Sequence, residues 1–149
     1  MHDNHSWPHR WRRAAVLAGV LGITLVACGG ATGESATEIH DRWLAALRTN
    51  DRTQALALFA NTDYRDTAVD SKLRMMRAYI HSTMTTGPHA TGGLVDVQAV
   101  RIEDRGAGKR GYSRWQYVKR TECHATDLTS TPEGWRVVDY NLTSPAACA

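Results

Sequence analysis

Four side chains could serve as a general acid or base: His81, Asp96, His124 and Asp139. Such a group needs an apolar pocket to tune its pKa and a partner to orient it. None of the four has a partner at a spacing that a helix or strand would bring together. Asp139 is the strongest, because alternation along GWRVVDY (134–140) puts it on the face of Trp135 and Val137. A strand end also turns polar as it leaves a core, and that reading is preferred, so no residue receives a catalytic role. Cys123 beside His124 suggests a nucleophile and its base. Neighbours on a strand point to opposite faces, which argues against the pair.

Other chemistries have less support. His40, His81, His89 and His124 show no His-x3-His or Cys-x2-Cys spacing, so neither a metal nor a cofactor is expected. RGAGKRG (105–111) leads into a strand, so its glycines serve a loop and not a phosphate cradle. Trp115, Tyr117 and Tyr140, with Asp139, could line a pocket for a small apolar ligand, helped by Trp43, Tyr79 and Trp135. The same aromatics are what a domain of this size uses to fill its core, and the core reading is preferred. Arg105, Lys109, Arg110, Arg114, Lys119 and Arg120 form a loose basic group flanked by Glu103, Asp104 and Glu122, which reads as a solvated hairpin surface.

The N-terminal stretch addresses location. Arg10, Arg12 and Arg13 precede AAVLAGVLGITLV (14–26), a run without charge. It fits the apolar core of a secretory signal and is shorter than the roughly 18–20 residues of a spanning helix. Leu25-Val26-Ala27-Cys28 resembles the lipobox of bacterial lipoproteins. That resemblance implies cleavage before Cys28, a lipid such as diacylglycerol and palmitate on Cys28, and a place on the bacterial cell membrane facing away from the cytoplasm. Two or more acyl chains, at about 0.8 kcal/mol per buried methylene, would hold a small domain stably. Residues 1–27 are thus the expected signal, 28–35 a flexible tether rich in small residues, and 36–149 one domain. Three of the 18 basic and one of the 15 acidic residues lie in the signal, which leaves a formal balance of +1. Nucleic acid is therefore not an expected partner; the membrane, a small apolar ligand or an envelope protein is. Outside the cytoplasm the remaining Cys123 and Cys148 are expected to form a disulfide.

The elements that position these residues follow from periodicity. Ser35 and Glu38 form a capping box, and Ile39, Trp43, Ala46 and Leu47 fall on one helical stripe ending at Asn50. Asp51 with Gln54 restarts a short helix through Ala55, Leu56, Leu58 and Phe59. Asp70 is expected to cap a third, with Leu73, Met76, Ile80 and Met84 in register before Gly87-Pro88. From residue 93 the period becomes two. Val95, Val97 and Ala99 share a face, and Val100 and Ile102 break parity, which points to a bulge. Residues 112–128 read as one long strand with Trp115, Tyr117, Thr121, Cys123 and Ala125 on one face, and WRVVDYNL (135–142) as the last strand.

Helices first and antiparallel strands afterwards mean an α+β class, with N-terminal helices packed on a curved antiparallel sheet. WLAALRTNDRTQALALF (43–59) and GWRVVDY (134–140) resemble the opening helices and closing strand of the nuclear-transport-factor-2-like, cystatin-like superfamily, whose fold is cone-shaped. That superfamily includes isomerases, hydrolases and members without catalysis. The preferred expectation is a lipid-anchored binding or interaction module without catalytic activity. The alternative is a small cavity enzyme of isomerase or hydrolase type.

Overall fold

The computed structural model describes residues 33–82 and 90–149. The expected signal, Cys28, most of the tether, Met84, Gly87-Pro88 and His89 lie outside the described residues. Helix α1, Ala36–Thr49, begins with the anticipated capping box: the Ser35 amide donates to the Glu38 carboxylate at 2.6 Å, and the Glu38 amide donates to Ser35 Oγ. It ends at Asn50, whose φ of 56° is left-handed, a conformation that Asn tolerates better than most side chains. Its stripe of Ile39, Trp43, Ala46 and Leu47 is buried. Helix α2, Arg52–Leu58, is capped by the Asp51 carboxylate, which accepts from the Gln54 amide at 3.0 Å.

Helix α3, Arg65–Ile80, starts before the expected point. Tyr64 takes the N-cap position, and Asp70 lies inside the helix, where its carboxylate accepts from Arg52 Nε of α2 at 2.7 Å. A tertiary ion pair, not a cap, explains that aspartate. Val69, Leu73 and Met76 form its buried stripe. No described helix is long and apolar enough to cross a membrane.

Four antiparallel strands follow in the order β1-β2-β3-β4: β1 Leu94–Arg105, β2 Gly108–Tyr117, β3 Thr121–Thr131 and β4 Gly134–Thr143. Helices and sheet together make an α+β fold. The segment 105–111 is mostly strand, because Gly106 and Ala107 alone make the turn and Arg105 faces Gly108. The single long strand expected over 112–128 is two strands, broken at residues 118–120, where the Tyr117 amide donates to the Arg120 carbonyl at 2.8 Å.

That turn changes the faces. Trp115 and Tyr117 look toward the helices together with Leu128, Val137 and Tyr140. Cys123 and Ala125 belong to the other face, in a small second cluster with Tyr112 and Cys148. A 3-10 turn, Pro145–Cys148, covers that cluster, and Cys123 and Cys148 are joined in a disulfide with Cα atoms 5.7 Å apart. β1 carries two register shifts, one at Val95 and one at the anticipated Val100. Val95 itself is exposed and does not share the helix-facing side with Val97. Phe59 and the Ala60 amide meet Val137, joining the end of α2 to β4.

Candidate functional site

Three of the four residues that could line a pocket do converge, within the core. Trp115, Tyr117 and Tyr140 project from β2 and β4 into the layer between sheet and helices, where Trp43 meets Tyr140 edge-on at 6.1 Å. Asp139 does not join them. Between Asp127 and Leu128 the β3–β4 register slips, so Val137 and Tyr140, three apart, both face the helices while Asp139 pairs with Asp127. A bulge at Val138 therefore reverses the alternation that the sequence suggests beyond Val137. The Asp139 side chain is half exposed; it accepts from the Tyr140 amide at 2.7 Å and lies 3.6 Å from Lys72 Nζ. It is a surface carboxylate.

The same layer holds polar groups that sequence reading did not assemble. Ser113, Glu122, His124 and Thr126 are all buried there, beside Trp115 and Tyr140. Glu122 and His124 sit two apart on β3 and thus on one face, with Nε2 and Oε2 separated by 3.0 Å. Arg120 reaches the other Glu122 oxygen at 2.6 Å. Burial pushes the Glu122 carboxyl up, but the His124 hydrogen bond and charge and the nearby Arg120 outweigh it and hold it below its ordinary 4.5. The His124 ring stacks on Tyr140 at 5.1 Å and tilts against Trp115 at 5.8 Å. Burial raises the Tyr140 hydroxyl well above the usual phenol range, with Ser113 opposing it, and burial also raises Tyr117. Chemically this is an imidazole oriented by a carboxylate, the arrangement of a general base with its positioning partner.

The pair is largely shielded from solvent, Glu122 keeping 8% exposure. His124, Trp43, Trp115 and Tyr140 are each 0% exposed, and no hollow described below reaches them. The sequence signal for this group was the alternation Glu122, His124, Thr126. Polar residues at period two normally face water, but here α1 covers one face of β3 and the 3-10 turn the other, so residues 122–126 are all buried. Cys123 and His124 point to opposite faces, as expected.

His40, which has no metal-ligand spacing in the sequence, is buried against β2. It is 0% exposed on α1, and its ring lies against Gly111 so closely that a Cβ there would fall 2.8 Å from Nδ1. Desolvation lowers its pKa to about 4, with Asp41 opposing. Among the described residues no three His, Cys, Asp or Glu side chains gather as a metal site. His81 is the exposed C-cap of α3, and Asp96 accepts from the Val97 amide and Gln98, both local contacts.

Three of the six basic residues are paired with acids. Lys109 pairs with Asp104, Arg110 with Asp127 at 2.6 Å and Arg120 with Glu122, while Arg114 donates to the Cys148 carbonyl. No protein-family model matches the chain, and no curated protein matches it either.

Proposed function

We propose that the chain is an extracytoplasmic binding or interaction module, held to a bacterial membrane by lipid on Cys28, whose domain performs no catalysis and belongs to the nuclear-transport-factor-2-like architecture. The observation that carries the non-catalytic part is the filled centre of the helix-facing layer, around Trp43, Trp115 and Tyr140. Large aromatic side chains occupy the place where a cone-shaped enzyme would keep its cavity, and the Glu122–His124 pair lies beside them. Three helices laid on a four-stranded antiparallel meander support the architecture. The disulfide supports an oxidising compartment, because such bonds persist outside the cytoplasm.

Metabolic fatty-acid labelling with membrane fractionation tests the anchor. Wild-type protein carries label and sediments with membranes; Cys28→Ser loses both properties. Label that persists in the variant removes the anchor from this reading. The isomerase or hydrolase alternative draws its support from the Glu122–His124 pair. Turnover of an enolisable ketone or a small ester that disappears in His124→Gln would put the enzyme first.

A further inference from the structure

We infer that the hollow between α1 and β1, with His40 in its wall, binds a small uncharged molecule that carries a hydroxyl or carboxamide on an apolar body. The inference deepens the binding reading above and rests on it for the premise that the ligand is held and not converted.

The hollow has a volume of about 310 Å³ and is lined by Thr37, His40 and Asp41 of α1 and by Ala99, Arg101 and Ile102 of β1. Thr37, Asp41, Ala99 and Arg101 are exposed, so the hollow is a groove open to solvent with His40 at its buried side. The β1 bulge at Val100 falls within this stretch, and bulges re-aim side chains beside functional sites. A second hollow, of about 170 Å³, continues along α1 past Leu44 and shares Asp41 and Ala99 with the first.

His40 sets the ligand chemistry. Both ring nitrogens are buried without a hydrogen-bond partner. A neutral imidazole offers one N–H donor and one acceptor nitrogen, and leaving either buried and unmatched is unfavourable. Gly111 packs against the ring, and the hollow borders His40 as well. Hydroxyl and carboxamide groups both donate and accept, and can match either nitrogen.

The rim sets the ligand charge. Asp41 and Arg101 bring one charge of each sign. Arg101 is further engaged, with its Nε 3.6 Å from Glu103 and its guanidinium 4.3 Å above the Tyr112 ring. A ligand of either charge would lose hydration against Ala99, Val100 and Ile102, and that loss favours an uncharged one.

NMR titration of the full chain with benzyl alcohol and benzamide tests the site. Both probes should give saturable shifts at the His40 ring and at residues 99–102, with benzylamine and benzoate at least about tenfold weaker. His40→Leu should weaken benzyl alcohol binding about tenfold. Ala99→Leu, which fills the hollow and leaves His40 in place, should abolish it. Shifts that are absent, that fall outside α1 and β1, that are equal for the charged probes, or that survive both substitutions would overturn the inference. Binding with the probe recovered unchanged supports both readings. Binding followed by conversion of the probe supports the site and overturns only the non-catalytic reading.

Discussion

Mild acid should destabilise the domain through one side chain, His40. The unfolded chain takes up its proton near the ordinary 6.5, whereas the folded chain resists until about 4, because burial disfavours the charged ring. Above 6.5 neither state is protonated and His40 contributes no pH dependence. As pH falls from 6.5 toward 4, the unfolded state alone gains a proton, and stability declines with a slope approaching roughly 1.4 kcal/mol per pH unit. Across the whole interval the loss is about 3 kcal/mol, of which about 2 kcal/mol is spent by pH 5. The upper part of the interval separates His40 from the carboxylates. Glu122 and Asp70 sit below their ordinary 4.5 and 3.8, so the stability they contribute is fully present above those values and is lost only as pH falls further. Urea unfolding followed by tryptophan fluorescence at pH 7, 6 and 5 measures the slope. His40→Leu is the control, since it removes both unpartnered nitrogens and puts an apolar side chain in their place; its stability difference from wild type should grow by about 2 kcal/mol between pH 7 and pH 5. Equal slopes in the two proteins, or a wild-type stability that rises on acidification from pH 7 to 5, would refute the reasoning.

The remaining expectations concern packing and covalent structure. Gly111→Ala drives a Cβ to 2.8–2.9 Å from three His40 ring atoms and should cost about 1–3 kcal/mol in urea unfolding; in a His40→Ala background most of that cost should vanish, and a neutral Gly111→Ala would show that α1 yields freely. Cys148→Ser opens a link between residues 25 apart and should cost about 3 kcal/mol under non-reducing conditions. Peptide mass spectrometry that finds both thiols free in protein from the cell envelope would remove that expectation. Asp139→Asn should change stability by no more than about 0.5 kcal/mol, because the carboxylate is half exposed beside Lys72; a loss several times larger would place Asp139 in a buried role.

What the sequence revealed, and what it hid, follows from the range of the interactions. Ser35 with Glu38, and Asp51 with Gln54, close hydrogen bonds three residues apart, so local order was sufficient to read them. The cysteine pair was legible because, with Cys28 set aside for the expected lipid, the two remaining thiols have one pairing available. Asp70 was misread as a cap because the same residue type serves Arg52 eighteen positions away, and no local pattern distinguishes the two uses. The face of Asp139 was misread because one inserted residue, Val138, flips everything after it, and a Val-Val pair gives no sign of a bulge. The break at residues 118–120 contains neither glycine nor proline, so β2 and β3 looked continuous. For the candidate site, the aromatic members were readable by type. Glu122 with His124, and His40 on Gly111, were not, because they depend on which strand face the helices cover.

The two interruptions in β1 bear on how these molecules behave when crowded together. β1 is an outer strand of the sheet, and its free edge offers backbone groups on which another chain could template itself. The bulges at Val95 and Val100 cut that edge into short pieces. Its longest regular run, residues 101–105, carries Arg101, Glu103, Asp104 and Arg105, charges that an added strand would have to desolvate or match. At the opposite edge, Phe59 and Ala60 already occupy the position beside Val137. The sheet therefore resists growth by edge-to-edge aggregation from either side at concentrations where a flat, uninterrupted strand would recruit its neighbours.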